Sequence, residues 1–161
     1  MAISMLTREE WKKAGNKADC APLAFLQTGE KHGQARRANF SGGWGIAYDT
    51  PTVRSAYGIA GPGIIPADEA GLAQQRARLA RQWPHFRELG QLPRPAFAGY
   101  GIEGARDYAD GDPDGEPDGR GQNSVAYLRV GGQRCTYNLW SRLGRAHLEF
   151  LMENLVTIDP L

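Results

Sequence analysis

The chain has 161 residues, 41% of them apolar, with 19 Lys and Arg against 18 Asp and Glu. That length suits one domain able to bury a core without metals or a disulfide framework. A net charge of +1 argues against general electrostatic affinity for nucleic acid or anionic membrane, and no stretch approaches the roughly 20 apolar residues of a membrane helix.

The N-terminus, MAISMLTREEWKK, lacks the apolar region of a signal peptide. The chain therefore reads as cytoplasmic as written, or as periplasmic or secreted if a signal has been removed. Thr7-Arg8-Glu9-Glu10 has the spacing of a capping box and predicts a short helix ending near Gly15-Asn16. The first cysteine, Cys20, follows. With Cys135 it makes either one bridge in an exported protein or two buried thiols.

Strands are expected over 22–28, 34–40, 43–49 and 53–59. Trp44, Ile46 and Tyr48 alternate with Gly45, Ala47 and Asp49, which is the period of a strand with one buried face. Residues 67–83 predict a helix with Pro66 at its start and Asp68 and Glu69 at the positive end of its dipole. Leu72, Leu79 and Trp83 form its apolar stripe, with Arg76, Arg78 and Arg81 at the edge or in water. Pro84 ends or kinks it, and HFREL is read as one further turn to Gly90.

A strand over 95–102 precedes an acidic loop at about 103–122. Residues 124–130 and 134–140 then predict a hairpin turning at Gly131-Gly132-Gln133. Ser141 is a cap for a last helix on which His147, Leu148, Leu151 and Leu155 share a face. Strand runs without regular βα alternation imply an α+β domain, an antiparallel sheet with helices packed mainly on one face.

The stretch SVAYLRVGGQRCTYNLWSRLGRAHLEFLMENLVTI, with GGWGIAYD upstream, resembles the end of the Mog1/PsbP-like fold. The resemblance covers under half the chain. It implies a small accessory or binding protein and carries over no catalytic residues.

Asp110, Asp112, Asp114 and Asp118 stand at positions 1, 3, 5 and 9 of a calcium-type loop, with Gly115 at 6 and Glu116 offering its carbonyl at 7. Position 12 is Gly121 rather than a bidentate acid, and a solvated acidic turn is the alternative. Gly99-Tyr100-Gly101-Ile102-Glu103-Gly104 matches a dinucleotide fingerprint literally. The acidic run behind it cannot open the helix that such a site needs. His32, His85 and His147 fit no zinc spacing, and His147 is expected to be a core histidine bonded to a backbone group. Cys135 is read as structural.

The strand aromatics suit sheet packing. If several share an exposed face, Trp44, Tyr48, Tyr57 and Trp140 would make a platform rimmed by Arg54, Arg36 and Arg37. Three functions follow. The first is a non-catalytic binding protein that recognises a protein or small ligand through that face or the acidic loop, with no cofactor. The second is an enzyme assembled from Asp49, Arg54, Tyr57 and a histidine such as His85 or His147. The third is an exported protein stabilised by calcium.

Overall fold

Alternation along the strands decides the architecture. A computed structural model describes residues 2–29, 32–40, 42–63, 71–102 and 124–158. Its elements run α1 (Ala2–Lys13), β1 (Leu23–Phe25), β2 (Gln34–Arg37), β3 (Trp44–Asp49), β4 (Tyr57–Gly61), α2 (Leu72–Gln82), β5 (His85–Glu88), β6 (Ala96–Ile102), β7 (Ser124–Val130), β8 (Tyr137–Ser141), α3 (Arg145–Glu153) and β9 (Leu155–Thr157). Seven strands form one antiparallel sheet in the order β2-β3-β4-β8-β7-β6-β5, and β1 pairs with β9 apart from it. Two meanders, β2–β4 and β5–β8, meet where β4 pairs with β8. The fold is α+β, as expected. No described helix is long and apolar enough to cross a membrane.

The sheet has an inner and an outer face. Trp44, Ile46, Tyr48, Tyr57, Ile59, Tyr137, Leu139, Ala126 and Leu128 point inward, and all are buried. Over them lie β1 and β9, α1, and α3 with its buried Leu148, Leu151 and Met152. Burying each such leucine stabilises the fold by about 1.5–3 kcal/mol relative to leaving it exposed. Helix α2 packs on the opposite, outer face across β6 and β5. Two of the three described helices thus share a face, and the third carries the chain from β4 to the far edge of the sheet.

Glycine marks the outer face. Gly45, Gly58 and Gly99 all point there, and rings lie flat where their side chains would be. A Cβ on Gly45 would stand 2.5 Å from the Phe40 ring, one on Gly58 2.4 Å from Trp140, and one on Gly99 2.8 Å from Trp83. Gly therefore alternates with large inward residues because the outer layer over the sheet is a layer of rings.

Several boundaries differ from expectation. Helix α1 starts five residues before the expected cap, so Thr7 lies inside it, 1% exposed. Ala2 and Met5 are strong helix formers that extend it. Strand β4 begins only at Tyr57, because Ser55 takes a left-handed φ of 51° and its amide bonds the Asp49 carboxylate. His85–Glu88 is an edge strand, not a helical turn. Pro84 ends α2, and β6 then offers a free ladder to pair with. Ser141 ends β8 rather than capping α3, whose N-cap is Gly144, and Leu155 opens β9.

Cys135 lies outside the hairpin strands and is bonded to Cys20 across 115 residues of chain. Both sulfurs are fully buried. The bridge ties the segment after α1 to the β7–β8 turn. Beside it, the Arg134 amide donates to the Asp19 carbonyl, and the Ala21 amide donates to Gln133 Oε1.

Candidate functional site

The chemistry-bearing side chains fall into two sets on the two faces of the sheet. The inner set centres on His147 of α3. Thr28 O can only accept, so His147 Nε2 donates to it at 2.8 Å, leaving Nδ1 to accept from Ser141 Oγ at 2.7 Å. Ser141 Oγ in turn accepts from the Leu143 amide at 3.0 Å. The Tyr57 ring meets the imidazole edge-on at 4.8 Å and stacks on Tyr48 at the same distance. Its hydroxyl accepts from the Gly33 amide at 2.7 Å.

A serine donating to an imidazole looks like a nucleophile and its base. Ser141, however, has no exposed surface, and its oxygen is committed to the turn before α3. These bonds lock α3 to β8 and to the loop after β1. His147 thus has the backbone-carbonyl bond expected of it, although its ring is half-buried rather than in the core.

Burial lowers the His147 pKa below its ordinary value, partly opposed by the bond to Thr28. The sign of the linkage follows. Below pH about 6.5 the unfolded chain takes up the proton before the folded one. Stability is therefore expected to be level above that pH and to fall as pH drops toward the depressed folded value. Urea melts between pH 7.5 and 5 check this: His147→Gln should flatten the slope, and an unchanged slope would contradict the role given to the imidazole.

The enzyme constellation does not converge. Asp49 follows Tyr48 in β3 and points outward, away from Tyr57. There it accepts from Arg36 Nε and from the Ser55 amide, each at 2.7 Å, and Arg36 also donates to Ser55 Oγ. The Ser55 amide first, then Arg36, hold the Asp49 carboxyl below its usual range. Arg54 is exposed beside this turn. His85 lies at the other end of the sheet, where Arg145 Nη1 donates to its Nε2 at 2.8 Å and Tyr100 flanks it. Tyr57 and His147 come together on the inner face and Asp49 and Arg54 in the outer turn, but the two pairs do not meet.

The expected aromatic platform is also corrected. Trp44, Tyr48 and Tyr57 do share a face, but it is the covered one, and each is at most 1% exposed. Burial pushes the Tyr48 phenol well above its usual pKa. Of the platform's four aromatic residues only Trp140 reaches the surface, and the arginines Arg36, Arg37 and Arg54 lie at or near it. Trp140 lies over Gly58, donates from its indole to Ser55 O and packs against Phe40.

The open aromatic surface lies elsewhere on the outer face. A groove of about 300 Å³ runs between α2 and the sheet. Its floor is Tyr127 and Arg129 of β7 with Thr136, and its wall is Gln75, Arg78, Leu79, Gln82 and Trp83. Gly99, paired with Tyr127, lets the Trp83 ring descend onto the sheet until the two rings are 5.4 Å apart. Arg129 reaches Thr136 Oγ1 at 3.5 Å across the β7–β8 pair. Among the described residues the charged side chains on the groove's lining are Arg78 and Arg129. Its volume is at the low end for a small-molecule pocket.

The residues that line the groove are not those the sequence singled out. Tyr127 was among the strand aromatics and Arg78 among the helix-edge arginines, but nothing local joined them. The usable signal was SVAYLRV: with Ala126 and Leu128 inward, Val125, Tyr127 and Arg129 must face out.

Asp110, Asp112, Asp114, Glu116 and Asp118, the expected calcium ligands, lie outside the described residues. Among the described residues no three His, Cys, Asp or Glu side chains are grouped to hold a metal. No family model matches the chain, and no curated protein or solved structure is significantly similar to it.

Proposed function

We propose that this protein is a non-catalytic binding domain that recognises its partner through the outer-face groove between α2 and β7–β8. The observation that carries this is the pairing of two accessible rings with two guanidinium groups in one depression, Trp83 and Tyr127 with Arg78 and Arg129. Tryptophan, tyrosine and arginine are the side chains that anchor interfaces, since they combine large contact area with directed polar atoms. In the inner His147–Ser141–Tyr57 set, in contrast, Ser141 and Tyr57 are buried and the half-buried His147 has both ring nitrogens bonded. The resemblance to the Mog1/PsbP-like fold agrees with an accessory role.

The disulfide adds a compartment. A bridge of this kind persists in the periplasm or outside the cell and is rare in the cytosol. We infer that the domain works in such an oxidising place.

Fluorotryptophan labelling gives four reporters, at Trp11, Trp44, Trp83 and Trp140. A fragment library screened by ¹⁹F NMR should yield compounds that shift the Trp83 resonance and leave buried Trp44 unmoved. A library in which every binder moves other signals and none moves Trp83 would overturn the assignment of the groove.

A further inference from the structure

We propose that the Cys20–Cys135 bridge is made by thiol–disulfide exchange with a disulfide-bearing oxidant while the chain is still open, and that folding then seals it against exchange in either direction. Both cysteines are 0% exposed. Residues of β3, β4 and β8 pack around the bridge. A Cβ on Gly61, the last residue of β4, would stand 2.4 Å from Cys20 Sγ, so the β4 backbone lies directly against that sulfur. Trp44 of β3 donates from its indole to Cys20 O at 3.3 Å, and its ring meets Tyr137 of β8 edge-on at 6.2 Å. Tyr137 in turn donates to Ala21 O at 2.7 Å. The Arg134 amide donates to Asp19 O at 2.7 Å, and the Ala21 amide donates to Gln133 Oε1 at 2.8 Å. Both segments that carry the cysteines are thus fastened to each other on either side of the sulfurs.

Thiol–disulfide exchange needs a thiolate to reach a sulfur atom. The folded chain offers neither sulfur to one. The exchange therefore passes through an opened chain, whichever way it runs. The cytosol keeps thiols reduced, so the oxidant belongs to an oxidising compartment. In the open chain one cysteine thiolate attacks the oxidant's disulfide, displaces one of its sulfurs as a thiolate and leaves a mixed disulfide. The second cysteine thiolate then attacks the chain's own sulfur in that mixed bond. This forms the bridge and expels the oxidant's other sulfur. The chain gives up two protons and two electrons, and the oxidant's disulfide is reduced to two thiols. The loop so closed contains β1 to β7, and the rings and backbone of β3, β4 and β8 shut over the bond as the sheet completes.

The test uses the full chain in both redox states. The oxidised chain is exposed to dithiothreitol in buffer and in denaturing urea, and free thiols are trapped by alkylation and counted by mass spectrometry. Reduction in buffer should be at least about a hundredfold slower than in urea, since only the small unfolded fraction presents the sulfurs. Rates within about tenfold of each other would overturn the seal. The reduced chain is then exposed to oxidised glutathione, with circular dichroism reporting whether it is folded. An open reduced chain should lose its thiols quickly. A folded reduced chain should lose them slowly in buffer and about a hundredfold faster once urea opens it. Rapid thiol loss from a folded chain, or slow loss from an open one, would overturn oxidation before closure.

Discussion

Reducing the Cys20–Cys135 bridge should cost about 5 kcal/mol of unfolding free energy, the largest single loss expected in this protein. The two cysteines are 115 residues apart. Closing a loop of that order in the unfolded chain removes entropy equivalent to about 4.7 kcal/mol. The folded geometry gives the same sign. The bridge is fully buried, and it fastens the segment between α1 and β1 to the β7–β8 turn. Around it, Tyr137 donates to Ala21 O at 2.7 Å, and Trp44 donates to Cys20 O at 3.3 Å. Without the bridge these bonds close a long loop unaided. Denaturant melts of the oxidised and reduced chain measure the difference. Coincident midpoints, or two titratable thiols in the native protein, would contradict it.

Gly58→Ala should destabilise by about 3 kcal/mol, an unusual penalty for one methyl group. The added Cβ would stand 2.4 Å from the Trp140 ring and 2.5 Å from the Ile46 carbonyl oxygen. Neither neighbour can yield cheaply. Ile46 is in the middle of β3, bonded on both sides, and Trp140 is held by Ser55 O and Phe40. Gly90→Ala provides the control, because nothing lies within 4 Å of its Cβ. That change should be neutral or stabilise by up to about 1 kcal/mol through the unfolded chain. Equal melting temperatures for the two variants would show that the outer layer of rings is loose rather than packed.

The contrast between these glycines explains what could be read beforehand. Period-two alternation in 43–49 and 124–130 identified strands, and it put Trp44, Ile46 and Tyr48 on one face. It could not say which face was covered. That was decided by α1, α3 and the β1–β9 pair, which come from distant parts of the chain. Gly45, Gly58 and Gly99 were legible as letters, but their meaning lay in Phe40, Trp140 and Trp83, which approach them from other elements.

Tertiary context decided the other differences too. Residues His85–Glu88 have no strong strand signal, and the free edge of β6 made them a strand. The disulfide joins residues that share no local pattern. His147 was the easier case, because a histidine on the apolar stripe of a helix must find a polar partner, and Thr28 O and Ser141 supply two. The groove was the hardest, since Arg78 lies in α2, Trp83 just past its end, and Tyr127 and Arg129 in β7, more than forty residues later.

On the proposed reading the two faces carry different duties. The inner face holds its histidine, serine and tyrosines as packing. The outer face leaves rings and guanidinium groups within reach of a partner. Variants on the inner face should change melting behaviour. The most direct measurement is the difference density from a crystal soaked with the fragment that most strongly shifts Trp83. The expected result is density between α2 and β7–β8, in contact with Trp83, Tyr127 and at least one of the two arginines. Density in the hollow formed by Phe25, Leu26 and His32, with the α2 groove empty, would contradict the account.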